Sequence, residues 1–232
     1  PSLLFRAVDC QMARAATWTA QPTADAPPRI GHHALRDERP APNLTPIMHT
    51  AKQPQTDAVI RTERLTLRPL TLADTARVAE LAGDWDVARM TSRVPYPYTL
   101  VDADAWIRSI TDGEFVRGII RDGTLIGACG YVVEDSGAAE IGYWIGRAYW
   151  GQGYATEAGR AIVAHCFGAE GFKRLTCRHF TDNPASGRVI RKLGFRLVGS
   201  CTGWSDARQC SAPTLSYEQS RSWSRFLECY QR

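Results

Sequence analysis

The sequence predicts a mixed, mostly antiparallel α/β domain with helices packed on the faces of one sheet. The first observation is a hairpin pattern: apolar residues 115–120 and 125–133 flank Arg121-Asp122-Gly123, and Asp-Gly supplies the positive φ angles of a tight turn. The second is a crossover pattern, in which a strand over residues 139–146 leads through a glycine-rich loop into a helix over residues 155–167. A sheet with both kinds of connection is mixed, and its helices lie on its faces.

The other elements follow from periodicity and from capping signals. Alternating apolar and polar residues predict a half-buried strand over residues 59–68. Thr71 with Asp74, and Thr99 with Asp102, form two capping boxes that each open a helix. The V-P-Y-P-Y stretch between these helices either pins them together or forms a wall of a substrate site. The remaining predicted elements are a strand over residues 174–180, a helix over 183–193 ended by Gly194, and two closing strands over 195–200 and 214–219.

Composition narrows the class of protein. The net charge is +4, with 28 basic residues interleaved among 24 acidic ones, so we expect no direct binding to nucleic acid. The seven cysteines lack C-x-x-C spacing, which predicts buried thiols in a reducing compartment and a cytoplasmic protein. No apolar run reaches the ~18 to 20 residues of a membrane span, so we expect no membrane association. The adjacent imidazoles of His32 and His33 are too few ligands for a metal site, and no metal is predicted.

Proline content marks a boundary near residue 57. Residues 1–56 hold eight of the thirteen prolines and show no sustained period, which predicts a disordered leader. An upstream extension and a targeting presequence are the alternatives. The folded domain is expected over residues 57–224, followed by a short C-terminal tail over residues 225–232.

The glycine-rich loop Trp150-Gly151-Gln152-Gly153-Tyr154-Ala155 predicts an anion site, because unpaired backbone N–H groups and the positive end of the helix dipole converge at a helix start. A dinucleotide fingerprint would need glycine where the chain has Thr156, and a P-loop would need a G-K-[ST] sequence that is absent here. A glycine-rich turn that only closes the preceding strand is the alternative.

This loop resembles the pyrophosphate loop of the GNAT acetyltransferases, written [RQ]-x-x-G-x-[GA], with Gly153 and Ala155 in the last two positions. Trp150 departs from the pattern in the first position. The stretch NPASGRVIRKLGF, residues 183–195, is similar to the N-x-x-S … K-x-G-F stretch of the same superfamily. With I-G-Y-W-I and the opening I-x-T-E-R-L-x-L-R-P, the chain from about residue 60 to 222 looks like the branch typified by RimJ and RimL, which acetylate N-termini of ribosomal proteins.

The resemblance implies the GNAT fold, also called the acyl-CoA N-acyltransferase fold, and a place for each part of acetyl-coenzyme A. The co-substrate would enter a V-shaped gap between the family's fourth and fifth strands, where backbone groups of Tyr143, Trp144 and Ile145 would pair with pantetheine. Asn183 would bond the pantetheine arm and Ser186 would lie near the sulfur, although capping of the helix alone would also account for both residues. The pyrophosphate would lie against a loop made of Trp150, Gly151, Gln152, Gly153, Tyr154, Ala155 and Thr156.

Three residues are candidates for proton transfer. Alternation along the strand puts Glu140 in a largely apolar setting beside the gap, where desolvation would raise its pKa toward the range useful for a base. Alternatively, Glu140 meets solvent or an arginine such as Arg178, and His179 is the second candidate base. Ile190 occupies the position where the family often has a tyrosine acid, so Ser186, a water or no acid would protonate the thiolate.

These observations predict an N-acetyltransferase that moves acetyl from acetyl-coenzyme A to a primary amine by direct attack through a tetrahedral intermediate. The amine could belong to a protein N-terminus or to a small molecule, because fold alone does not fix the acceptor. The chain would act as a monomer or a homodimer. A non-catalytic acyl-coenzyme A binding module is the alternative.

Overall fold

The computed structural model describes residues 58–110 and 114–221. Within these ranges one sheet has the strand order β1-β2-β3-β4-β5-β6-β8-β7. β5 and β6 run parallel and every other neighbouring pair is antiparallel, which confirms the predicted mixed sheet. The strands are β1 (Ile60–Arg61), β2 (Thr66–Arg68), β3 (Glu114–Arg121), β4 (Thr124–Val133), β5 (Ala139–Ile145), β6 (Arg174–Phe180), β7 (Arg196–Ser205) and β8 (Cys210–Ser220).

The two predicted capping boxes are present: a 3-10 turn that leads into the first α-helix follows Thr71, and another helix begins directly after Thr99. Thr71 N–H donates to the Asp74 carboxylate at 2.8 Å, and Thr99 N–H donates to the Asp102 carboxylate at 2.8 Å. Asp74 also accepts two hydrogen bonds of 2.8 Å from Arg68, which ties the first helix to β2. In the described ranges the α-helices are α1 (Thr75–Ala82), α2 (Trp85–Ala88), α3 (Leu100–Ser109), α4 (Tyr154–Gly168) and α5 (Pro184–Lys192), with short 3-10 helices at Leu72–Asp74 and Arg147–Tyr149.

Two strand predictions need correction. The single strand expected over residues 59–68 is wrong, because a turn in which Thr62 N–H donates to Leu65 O at 2.9 Å separates β1 from β2. The closing strands β7 and β8 are longer than predicted and form one long hairpin. The β3–β4 turn is as predicted, with positive φ angles of 47° at Asp122 and 77° at Gly123.

The two faces of the sheet carry separate apolar cores. α4 packs on one face through fully buried Ala158, Ile162 and Cys166, which lie on one side of the predicted helix. α1, α2 and α3 pack on the other face, where Trp106 and Tyr98 are buried. Tyr98 of the V-P-Y-P-Y stretch therefore pins the helices.

The cysteines follow the prediction only in part. Cys129, Cys166 and Cys177 are buried free thiols, whereas Cys201 is half-buried and Cys210 is exposed. None of the helices in the described ranges is long and apolar enough to cross a membrane. The predictions for the leader (residues 1–56) and the tail (residues 225–232) lie outside the described residues.

A fork between β5 and β6 positions the candidate site. The two strands pair only at Ala139 with Leu175 and at Glu140 with Thr176, and then they diverge. Along β5 the side chains alternate between the two cores: Ile141 and Ile145 belong to the core under α4, and Trp144 belongs to the core under α1 to α3. A ligand in the fork therefore has access to both faces of the sheet.

Candidate active site

A cavity of about 660 Å³ occupies the fork and extends to the start of α4. Its lining contains every residue that the sequence singled out for the site except Gln152: Glu140, Tyr143, Trp144, Ile145, Trp150, Gly151, Gly153, Tyr154, Ala155, Thr156, His179, Asn183 and Ser186. The structure thus brings together residues from four elements that are far apart in sequence. No cluster of His, Cys, Asp or Glu suited to a metal ion occurs among the residues that the structure describes.

The glycine loop presents backbone N–H groups at the start of α4. Gly151 and Gly153 have φ angles of 77° and 84°, a left-handed conformation that glycine adopts without strain. A Cβ at Gly153 would have only the Arg64 guanidinium, at 3.5 Å, as a neighbour, so the space above this residue is open. The first N–H groups of α4 have no partner within the helix, which makes this cradle suitable for an anion such as pyrophosphate.

Trp150 holds the end of β5. Its indole N–H donates to the Ile145 carbonyl at 2.6 Å, while its ring lines the cavity and remains 46% exposed. Trp150, which departs from the family pattern, therefore has a structural role, because its indole fixes the glycine loop against β5. It also means that the Ile145 carbonyl already has a donor within the protein.

Glu157, in the first turn of α4, anchors the glycine loop to the turn between β1 and β2. Its carboxylate accepts from Thr62 Oγ1 at 2.6 Å, from Arg64 N at 2.8 Å and from Arg64 Nε at 2.7 Å. Arg64 Nη1 donates to the Gln152 carbonyl at 3.1 Å. Burial raises the pKa of Glu157, but the hydrogen bonds from Thr62 and Arg64 outweigh it and hold this pKa below its ordinary value.

This anchor was not predicted from the sequence. Arg64 belongs to the opening I-x-T-E-R-L-x-L-R-P stretch and Glu157 follows the glycine-rich loop by two residues, but neither position indicates the contact between them. The loop, the first turn of α4 and the β1–β2 turn form one hydrogen-bonded unit.

Asn183 and Ser186 open α5 beside the cavity. The Asn183 side chain accepts from Ser186 N–H at 3.1 Å, which is the capping role that the sequence left open. Ser186 Oγ lies 3.0 Å from the Tyr143 hydroxyl. Burial raises the pKa of Tyr143, and the hydrogen bond with Ser186 only partly opposes this, so the phenol stays protonated at neutral pH. Sequence reasoning gave Tyr143 a backbone role only and missed this hydroxyl.

Glu140 is paired with Arg178, which is the alternative that the sequence left open. Arg178 Nε donates to Glu140 Oε1 at 2.8 Å and Arg178 Nη2 donates to Oε2 at 2.9 Å, which is a bidentate pair. The hydrogen bonds with Glu140 raise the pKa of Arg178 further above its ordinary value. The reason is register: Glu140 is paired with Thr176, so Arg178, two residues further along β6, shares its face just where the fork opens.

His179 lies on the opposite face of the sheet from Arg178. Its Nδ1–H donates to the Phe180 carbonyl at 2.7 Å, which leaves Nε2 to accept from the Tyr217 hydroxyl at 3.2 Å. A Cβ at Gly187 of α5 would approach Nε2 to 2.8 Å, so the ring packs directly against that helix. The two candidate bases are therefore on different sides of the fork.

A fork between strands, an anion cradle at a helix start and a cavity that joins them define an acyl-coenzyme A-dependent transferase. The sequence model of the family described as "Acetyltransferase (GNAT) domain" matches residues 64–196, which is more than half of the chain. The chain belongs to this family. The uncharacterized N-acetyltransferase p20 of Bacillus licheniformis is 28% identical over 156 residues, which cover 63% of this chain and 87% of that protein.

Two further comparisons concern ribosomal-protein acetyltransferases and RimJ, to which the chain is similar in part of its sequence and in its fold. The ribosomal-protein-serine acetyltransferase of Escherichia coli is 31% identical over 83 residues, 35% of this chain and 46% of that protein. The structure of Mycobacterium smegmatis RimJ in complex with CoA-disulfide superposes with a TM-score of 0.61 at 19% identity, covering 71% of this chain and 88% of that one. The GNAT fold and the resemblance to RimJ-like acetyltransferases are confirmed.

Proposed function

We propose that this acetyltransferase moves acetyl from acetyl-coenzyme A to a primary amine by direct attack of the amine on the thioester. The observation that carries the proposal is the single cavity that joins the glycine loop before α4 to the fork between β5 and β6. A molecule with a pyrophosphate at one end and a thioester at the other fits such a cavity. The amine then reaches the carbonyl from the other face of the sheet.

The chain's own groups supply a place for each part of the co-substrate. The pyrophosphate binds at Gly151 to Thr156, beside the positive charge of Arg64. Pantetheine lies along the diverging part of β5, near Tyr143, and contacts Asn183 at the start of α5. Arg188 and Lys192 of α5 also line the cavity and suit a further phosphate.

Positioning does much of the work in this reaction, because it turns a bimolecular step into one within a complex. The nitrogen forms a bond to the carbonyl carbon, an N–H group of β5 stabilises the oxyanion, and the bond to sulfur breaks. The Ser186 hydroxyl, in contact with the Tyr143 hydroxyl, passes a proton to the departing thiolate, and water restores the proton that Ser186 gives up. Glu140, whose face of β5 is the one opposite to α4, takes the amine proton through a water.

The pairing with Arg178 shapes this last role. A carboxylate has about four lone-pair sites and the bidentate pair uses two of them, so Glu140 can still accept from a water. We therefore propose that Glu140 orients the water through which it takes the amine proton and that its negative charge attracts the ammonium form of the acceptor. His179 remains the second candidate, on the co-substrate side.

The test is release of free thiol from acetyl-coenzyme A in the presence of a panel of amines and peptides, together with calorimetric binding of acetyl-coenzyme A. We expect micromolar binding and amine-dependent thiol release. Binding without any amine-dependent release would instead support the non-catalytic acyl-coenzyme A module. Absence of binding would overturn both.

A further inference from the structure

The cavity has an arm on the side of the fork that faces away from α4 and α5. We call it the acceptor arm, and its walls are mainly apolar. Its apolar lining consists of Val87, Met90, Val94, Trp144, Phe180 and Trp204. Trp204 is 42% exposed although it is a large aromatic residue, so its ring is presented to the cavity and to solvent.

The carboxylates of this arm are each neutralised by an arginine. Glu140 is held by Arg178, and Asp182 is held by Arg208 at 2.9 Å and 3.1 Å. A third basic residue, Arg93, also lines the arm. A site for a polycation needs carboxylates in excess over basic groups, and among the described residues that line this arm there is no such excess.

The wall that carries Trp204 is fixed in place. The turn between β7 and β8 is tied to the segment after α2, because Asp206 N–H donates to Ser92 O at 2.9 Å and Arg208 Nε donates to Arg89 O at 2.7 Å. The indole N–H of Trp204 donates to Asp206 Oδ1 at 2.9 Å. The aromatic ring is thus held in one orientation by a hydrogen bond at its edge, which leaves its faces for an apolar contact.

From the lack of excess carboxylates in the described lining, the apolar walls and the fixed indole we infer that the acceptor carries a single primary amine on an apolar body, with an aromatic group placed against Trp204. The inference rests on the proposed function and specifies its acceptor. The same chemistry occurs in a small arylalkylamine and in a peptide whose first residue is aromatic. Polyamines and aminoglycosides, which carry several positive charges, are excluded as good acceptors.

The experiment compares phenethylamine, an N-terminally free Phe-first pentapeptide and spermidine as acceptors with the full chain. We expect kcat/KM for phenethylamine or the peptide to exceed that for spermidine by about 10-fold or more, the range that an apolar pocket typically provides. The ratio between phenethylamine and the peptide distinguishes the two sources. A preference for spermidine would overturn the inference.

Trp204→Ala should raise KM for the preferred aromatic acceptor by about 10-fold with little change in kcat. The reason is that Trp204 would contact the acceptor equally well in the ground state and in the transition state. Trp85→Ala is the matched control, since Trp85 is 43% exposed but does not line the cavity. Equal effects of the two variants, or an unchanged KM in Trp204→Ala, would overturn the assignment of Trp204.

Two measurements separate this inference from the proposed function. Calorimetry with acetyl-coenzyme A tests the co-substrate site alone. Tryptophan fluorescence with phenethylamine and with spermidine, in the presence of coenzyme A, tests the acceptor arm without turnover. Normal acetyl-coenzyme A binding, combined with tighter binding of spermidine than of phenethylamine, would overturn the inference and leave the proposed function intact.

Discussion

Arg64 and Glu157 lie 93 positions apart and are joined by hydrogen bonds of 2.7 Å and 2.8 Å from the Arg64 side chain and backbone. The pair is more than a surface ion pair, because Thr62 donates to the same carboxylate and Arg64 also holds the Gln152 carbonyl. An exposed ion pair contributes little to stability by itself. Its value here is geometric, since it fixes the loop on which the co-substrate's phosphates would rest.

Glu157→Gln should therefore weaken acetyl-coenzyme A binding by about 10-fold, roughly what the loss of charge-assisted hydrogen bonds costs. S-acetyl-N-acetylcysteamine, a donor without pyrophosphate, should show no such change in kcat/KM. Asp104→Asn, which removes a comparable surface pair with Arg108, serves as the control. An equal loss with both donors would mean that Glu157 acts on the whole fold and not on the loop.

The same anchor predicts a pH dependence. Because the pKa of Glu157 is lowered in the folded protein, its contribution is present above the ordinary Glu pKa of about 4.3 and is lost as the pH falls through the folded value. Acetyl-coenzyme A affinity should thus fall in the acid range more steeply in the wild type than in Glu157→Gln. Parallel calorimetric profiles for the two proteins would contradict this.

Gly153→Val should abolish acetyl-coenzyme A binding while circular dichroism remains nearly unchanged. A branched side chain would fill the open space above the loop and is strained at a φ of 84°. Gly171→Val is a matched control, because Gly171 has a φ of 77°, open space around its Cβ position and no place in the cavity lining. Loss of binding in both variants would indicate that backbone strain, and not the cradle, is responsible.

Glu140→Gln should lower kcat by about 10²-fold or more at pH 7 with little change in co-substrate affinity. The deficit should shrink at high pH as the amine deprotonates unaided. His179→Gln tests the residue on the other face of the fork. Near wild-type kcat in Glu140→Gln across pH 6 to 9, with a loss in His179→Gln, would transfer the role of base to His179.

Tyr143→Phe removes only the hydroxyl beside Ser186, and we expect it to lower kcat by about 10-fold or more with unchanged affinity for acetyl-coenzyme A. If the two hydroxyls act as one proton path, Tyr143→Phe with Ser186→Ala should lose little more than the worse single variant. Fully additive losses would show that they act separately. A fall in thermal midpoint without a fall in kcat would give the pair a purely structural role.

Local signals predicted much of the site. Asn183 as a helix cap, the left-handed Gly153 and the Asp122-Gly123 turn depend on a few neighbouring residues, and each is found. Contacts between distant strands could not be predicted in the same way. The Glu140–Arg178 pair depends on the register of β5 against β6. The Tyr143–Ser186 contact depends on how closely α5 approaches the sheet.

The fork has a mechanical consequence. With only two residue pairs between β5 and β6, the sheet consists of two plates. One plate contains β1 to β5, and the other contains β6, β8 and β7. The short β5–β6 pairing is the seam between them. A change in the angle between the plates breaks few backbone hydrogen bonds, while it widens or narrows the space in which the thioester would be gripped. The ion pair of Glu140 and Arg178 spans that seam at its open end, where it opposes separation of the two plates.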